Sequence, residues 1–230
     1  MDYQFFLNLS KKKISNELKM GFKKAQRNPY KGKINLDIYS KLKKIINKNQ
    51  ISFLDVGCGD GSISKYLIKK LKIKNFLLND NKFFLNKIKW CKNEKKISGN
   101  FLKVSKKIDK KFNLILCYSV IHYIPKKRLF IFIKKLLKLL SRNGILFLGD
   151  VPDKNLILKF LKTKKGKKYH FKYYKNEIDY PKIIKSKKII NHSDLNKFLI
   201  KSGDYDIKFT KQSNLLHYAN FRKDIIIKKK

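Results

Sequence analysis

The chain has 230 residues, 43% of them hydrophobic, enough for one domain with a full core, which excludes a disordered polycation. Its formal charge of +42 comes from 54 lysines and only four arginines set against sixteen acids. Three cysteines (Cys58, Cys91, Cys117) lack metal-ligand spacing and are too few for a disulfide framework, so no metal site is expected and a reducing, cytoplasmic setting is.

In chain order, Ile14, Leu18 and Phe22 recur every four residues, and Leu36, Tyr39, Leu42, Ile45 and Ile46 mark a second amphipathic helix. Asn28-Pro29-Tyr30-Lys31-Gly32 separates the two, so residues 1–50 are expected to form a helical lead-in. Met1 to Leu7 has an acid first and too short an apolar run for a signal peptide, and no uncharged stretch approaches the ~18 residues of a membrane span. Ile51 to Val56 is a short apolar run of the kind that forms a buried parallel strand. Glycines at 57, 59 and 61 then allow a sharp turn and close approach to a ligand, and Ser62 to Leu71 carries Ile63, Tyr66, Leu67 and Leu71 at helical spacing. Strand, glycine turn and helix are the layout of a nucleotide-binding crossover.

A dinucleotide fingerprint would need a small residue at 62 in the third glycine's role, whereas here the third glycine is at 61, giving D-x-G-x-G-x-G from Asp55. In this motif the sequence resembles the class I S-adenosylmethionine-dependent methyltransferases. The resemblance implies that Gly57, Cys58, Gly59 and Gly61 hold the methionine end of the cofactor, with Asp55 near its amino group. NAD, or a glycine turn with no ligand, are the alternatives. Asn75 to Leu78 reads as the next strand, with Asp80 past its end about 20 residues after the glycines, where an acid accepts hydrogen bonds from ribose hydroxyls. Asn81 beside it is expected at the cofactor as well; Asp80 also stands where a helix N-cap would, ahead of an apolar-periodic stretch from Phe83 to Trp90.

Lys96 to Gly99 reads as a short third strand. The resemblance implies that Asn100 meets the adenine amino group and Phe101 covers the ring; a turn residue and a core aromatic would look the same. Phe112 to Tyr118 is a clear fourth strand, its end expected at the cofactor, followed by Ser119-Val120-Ile121-His122-Tyr123-Ile124-Pro125. Similar turns in the family carry a histidine under the transfer site, which makes His122 the candidate catalytic residue, although strand-end histidines are more often structural. His170, His217 and Asp150 are the other candidate bases. Pro125 suits the first turn of a helix bearing Leu129, Phe130, Ile133, Leu136, Leu137 and Leu140, with Asn143-Gly144 as its stop. Ile145 to Leu148 is a fifth strand, leaving through Gly149-Asp150-Val151-Pro152. Ser193 is placed to N-cap Asp194 to Lys201, and Asp206 to Thr210 with Asp224 to Ile227 make a closing strand pair.

The resemblance thus implies an α/β, doubly wound, Rossmann-like domain over 51–230, with a seven-stranded sheet ordered 3-2-1-4-5-7-6 and a C-terminal antiparallel hairpin. Residues 154–190 are extra, expected as a lid that mixes Lys162, Lys164, Lys165, Lys167 and Lys168 with Tyr169, His170, Phe171, Tyr173 and Tyr174. That mixture suits base stacking, a small-molecule pocket, or a helical lid whose aromatics are its own core. The lysines, spread evenly beside abundant Ile, Asn, Phe and Tyr, fit either an A/T-rich coding bias or a polyanion surface. There is no Asn/Asp-Pro-Pro-Tyr after the fourth strand and no cysteine in a Pro-Cys or Thr-Cys context, which argues against two routes of base methylation. The run Tyr218-Ala219-Asn220-Phe221-Arg222-Lys223-Asp224-Ile225 is similar to bacterial methyltransferases of surface-glycan loci. A small sugar-like or anionic acceptor is therefore the expected partner, with ribosomal or transfer RNA as the alternative.

Overall fold

Buried residues alternate along the central strands, so one sheet separates two apolar layers. Phe53, Leu114, Leu116, Ile145, Phe147 and Ile226 face one side; Leu54, Val56, Ile115, Cys117, Leu146, Leu148, Ile225 and Ile227 face the other. The computed structural model describes residues 30–47, 51–174, 178–179, 190–216 and 218–230. The lead-in helix expected at 14–22, most of 175–189, and His217 lie outside the described residues.

In chain order the elements are α1 (Lys31–Leu42), β1 (Ser52–Val56), α2 (Ser62–Lys70), β2 (Asn75–Asp80), α3 (Lys82–Leu85), β3 (Lys96–Ser98), α4 (Phe101–Val104) and β4 (Phe112–Tyr118). They continue with α5 (Lys126–Lys138), β5 (Leu140–Pro152), α6 (Lys154–Lys162), α7 (Lys164–Tyr174), α8 (His192–Lys201), β6 (Tyr205–Lys211) and β7 (Arg222–Lys229). The sheet order is β3-β2-β1-β4-β5-β7-β6, parallel through β5 and antiparallel in the last two pairings. This is the expected architecture. The first face is covered by α1 and α2 through Ile34, Ile38, Leu42 and Leu67, the second by α5 and α8 through Ile133, Leu136, Leu195 and Leu199.

Several local expectations shift. The face of α1 is set by Ile34, Ile38 and Leu42, four residues apart, and Leu36 falls off that face and points to solvent. The apolar stretch after β2 is helical only over Lys82–Leu85, and its N-cap is Asn81, whose side chain accepts the Phe84 N–H at 3.1 Å. Asn191, not Ser193, caps α8, accepting the Ser193 N–H at 3.0 Å. Pro125 is itself the N-cap of α5, and Asn143-Gly144 lies inside β5 and not at a helix end. There Asn143 takes a positive φ of 58° while pairing with β4 resumes at Ile145.

β5 also bulges against β7. Leu148 pairs with Ile225 and Val151 with Lys223, leaving Gly149 and Asp150 opposite the single residue Asp224. Asp150 takes a φ of 59°, and its displaced N–H donates to Asp224 Oδ1 at 2.9 Å. Gly149 is required here, since a Cβ on it would lie 2.2 Å from Tyr118 Cδ2.

Candidate active site

The carboxyl ends of β1, β2 and β4 open onto one cleft of about 1400 Å³ counted to its open mouth. Its inner wall is the glycine turn. Gly57, Gly59 and Gly61 all take positive φ (77°, 57° and 70°), and the Gly57 and Cys58 N–H groups donate to the Asn79 carbonyl at 2.8 and 3.1 Å. A Cβ on Gly57 would stand 2.4 Å from Val120 Cγ2, so only glycine lets the turn after β4 close against this wall.

Asp55, near the end of β1, points to the α2 side, is 2% exposed and accepts a short hydrogen bond from Ser64 Oγ. Burial pushes its pKa up to about 7 against the Ser64 bond, and Asp80 adds repulsion. Asp80, ending β2, accepts the Gly59 N–H at 2.8 Å and the Asn81 N–H at 2.6 Å, so one carboxylate ties the turn to the strand beside it. Burial raises its pKa to about 6, with both N–H groups opposing the shift. Asn79, which the sequence did not single out, donates its side-chain amide to the Ile97 and Gly99 carbonyls and holds β3 against β2.

Of the residues expected at the cofactor, Asp55, Gly57, Cys58, Gly59, Asp80, Asn81, Asn100, Phe101 and Tyr118 all line the cleft. Gly61 does not: it caps α2, and a Cβ on it would meet Ile88 Cδ1 at 2.9 Å. The Asn100 side chain N-caps α4 through the Leu102 N–H at 2.9 Å, and the Phe101 ring packs edge-on against Phe132 with centroids 5.3 Å apart. Both local-structure alternatives therefore hold alongside the cleft position.

His122 is not among the residues that line the cleft. It sits buried in the 3₁₀ turn Ile121–Tyr123, its ring 4.2 Å from that of Tyr123, and Tyr123 takes the wall instead. Of the other candidate bases, Asp150 is ion-paired to Arg222 at 2.5 Å, and His170 is buried away from the cleft. Ile34 and Asn35 of α1 and Ser119 were also missed. An isolated polar residue on a helix carries no sequence signal for Asn35, and only the short distance past β4 could have suggested Ser119.

The donor set suits a cationic cofactor. Around the turn the side chains are mostly carboxylates and amides, Arg128 on α5 being the one basic side chain in the lining, and Asn35 Oδ1 is a buried acceptor with no hydrogen-bond partner among the described residues. A phosphate would need donors there; an ammonium, a sulfonium and ribose hydroxyls are served by acceptors.

A pH dependence follows. Asp55 and Asp80 keep their protons in the folded protein up to about pH 7 and 6, whereas an unfolded chain gives them up near 3.8. Between these limits the folded state binds more protons, so these two groups make the ligand-free protein less stable as pH rises from about 4 to 7. A cationic ligand favours the ionised forms. Its affinity should rise through pH 6 to 7 with release of protons, measured by calorimetry in buffers of different ionisation enthalpy; a buffer-independent heat would contradict it.

Residues 54–146 match the family model described as a methyltransferase domain. No curated protein sequence matches the chain at a significant level. Among solved structures, magnesium protoporphyrin IX methyltransferase from Synechocystis PCC 6803, with bound S-adenosylhomocysteine, superposes with a TM-score of 0.60 at 15% identity, covering 99% of this chain and 94% of that one. The plantazolicin methyltransferase BpumL with S-adenosylhomocysteine gives 0.60 at 15% identity over 89% and 86%. An S-adenosylmethionine-dependent methyltransferase from Archaeoglobus fulgidus gives 0.57 at 15% over 86% and 94%. At these identities the structural likeness speaks for the fold alone.

The class defined by this sheet, this glycine turn and the matched domain is the transferases that move a methyl group. Over residues 54–146 the protein carries a methyltransferase domain. Among the described residues no helix is long and apolar enough to cross a membrane.

Proposed function

We propose that the protein methylates a small acceptor, sugar-like or anionic, bound beside Tyr118 and Tyr123, with ribose held by Asp80 and the methionine end by the glycine turn and Asp55. S-adenosyl-L-methionine, with which the similar solved methyltransferases were crystallised in methylated or demethylated form, is the cofactor in this reading and would supply an activated methyl on a sulfonium. The protein's part is to align the acceptor with the S–CH₃ axis, and positioning alone is worth roughly 7–11 kcal/mol. α1 caps the cleft in this account, through Ile34 and Asn35.

The observation that carries the small-molecule reading concerns 154–174. Two of its aromatics, Phe160 and Tyr169, pack with Tyr218 and Phe221 at ring-centroid distances of 5.4–6.0 Å, and none of these four lines the cleft, while Phe171 is exposed. α6 and α7 meet so closely that a Cβ on Gly166 would lie 1.8 Å from the Phe160 carbonyl oxygen. The segment is thus a helical pair with its own core, which weakens the case for bases stacked there.

Incubation with methyl-labelled cofactor and fractionated cell extract tests the proposal. Label is expected in the low-molecular-weight fraction. Label confined to RNA, with binding that falls steeply as salt is raised, would establish the polynucleotide alternative instead.

A further inference from the structure

Two non-glycine residues with left-handed backbone stand side by side at the carboxyl edge of the sheet. Ser119 (φ 60°) follows β4, and Asp150 (φ 59°) lies at the β5 bulge; Tyr118 pairs with Gly149, and the Ser119 N–H donates to the Gly149 carbonyl at 3.0 Å. Such backbone persists where its surroundings impose it, and it concentrates at ligand sites. Arg222, at the start of β7, closes the same corner. Its Nη1 meets Asp150 Oδ2 at 2.5 Å, and its guanidinium lies 4.1 Å from the centroid of the Tyr218 ring. Burial alone would lower the pKa of Arg222, but Asp150 and the nearby phenols of Tyr218, Tyr123 and Tyr118 outweigh it, so the group stays charged.

Two buried polar atoms in this corner have no hydrogen-bond partner among the described residues: Arg222 Nε and Ser119 Oγ. Both can donate. Tyr118, Ser119 and Tyr123 line the cleft beyond the glycine turn; Arg222 is not itself in that lining, but the Tyr118 and Tyr123 phenols are near enough to act on its charge from behind the wall. The residue type is informative too. In a chain of 54 lysines and four arginines, a lysine would have sufficed to neutralise Asp150 as a point charge. Only the planar fork of arginine offers a further N–H in a fixed direction while one nitrogen holds the carboxylate.

Resting on the methyltransferase assignment, we propose that Arg222, with Ser119 and the tyrosines around it, forms an oxyanion subsite that takes a carboxylate or phosphate of the acceptor on Arg222 Nε–H. Asp150 is the positioning residue that aims the fork.

The test follows the Arg222 side-chain Nε–H resonance by NMR in protein saturated with S-adenosylhomocysteine, titrated at constant ionic strength with inorganic phosphate, sodium acetate or glucose. Phosphate or acetate is expected to move that resonance saturably, and the responding anion identifies the acceptor group. Arg222→Lys, which keeps a positive charge beside Asp150, should weaken that anion's affinity at least tenfold while leaving the melting temperature and S-adenosylhomocysteine affinity unchanged. An unmoved resonance with both anions, a response to glucose alone, or equal anion affinity in Arg222→Lys would overturn the subsite. Failure of the unmodified protein to bind S-adenosylhomocysteine would overturn the cofactor assignment before any anion is added, so the two failures are distinguishable.

Discussion

Asp80→Ala is expected to raise the dissociation constant for S-adenosylhomocysteine by about two to four orders of magnitude while leaving the fold intact. On the proposed placement the carboxylate accepts two ribose hydroxyls, and charge-assisted hydrogen bonds are worth ~1.5–3 kcal/mol each, or about 3–6 kcal/mol together. The substitution also removes the acceptor for the Gly59 N–H, so the turn loses its tie to β2. The sheet itself should survive. β2 keeps its backbone pairing to β1 over Ser52–Val56, and Asn79 keeps its two bonds to the β3 end. Burial already raises the Asp80 pKa, so removing the carboxyl from the ligand-free protein relieves a desolvation cost. Isothermal calorimetry and a melting curve decide the matter: unchanged affinity in a folded variant would remove the ribose from Asp80.

Asp224→Ala should have the largest effect on stability. The residue is fully buried, and its carboxylate accepts from the Asp150 N–H at 2.9 Å, Gln212 Nε2 at 3.0 Å and Lys41 Nζ at 2.7 Å. Lys41 retains Asp37 at 2.6 Å, but the Asp150 N–H and the Gln212 amide would be stranded without acceptors. Each such loss costs ~1–3 kcal/mol, about 2–6 kcal/mol for both. At about 2–4 °C per kcal/mol for a chain of this size, the melting temperature should fall by roughly 10 °C. Asp224→Asn, which keeps an acceptor for the Asp150 N–H, should lose less. A melting temperature within about 2 °C of the parent for Asp224→Ala would show that this network does not secure the β5–β7 bulge.

Much of the scaffold was readable in the chain. β1 and β4 were legible because a strand buried on both faces is a continuous apolar run, and the glycine turn because three glycines at alternate positions have few other uses. That Asp55 and Asp80 stand at the cleft was legible because their distances from the glycines are set by one strand and one crossover. Boundaries failed where a tertiary contact outweighs the local pattern: pairing with β4 draws Leu140 to Gly144 into β5, and the turn at Asn86 to Trp90 takes residues whose apolar spacing suits a helix.

What the amino-acid order determined by itself is the crossover unit, the type of sheet and the acidic character of the cleft at the glycine turn, since each follows from residues near one another in the chain. Tertiary structure alone decided that Tyr123 and not His122 faces the cleft, and that Asn35 reaches it from α1. It also brought Asp150 to Arg222 across 72 positions and Lys41 to Asp224 across 183. The reason is physical. Local periodicity records which side of an element is apolar, whereas a polar corner arises only where the ends of several strands converge and burial obliges their charges to find one another.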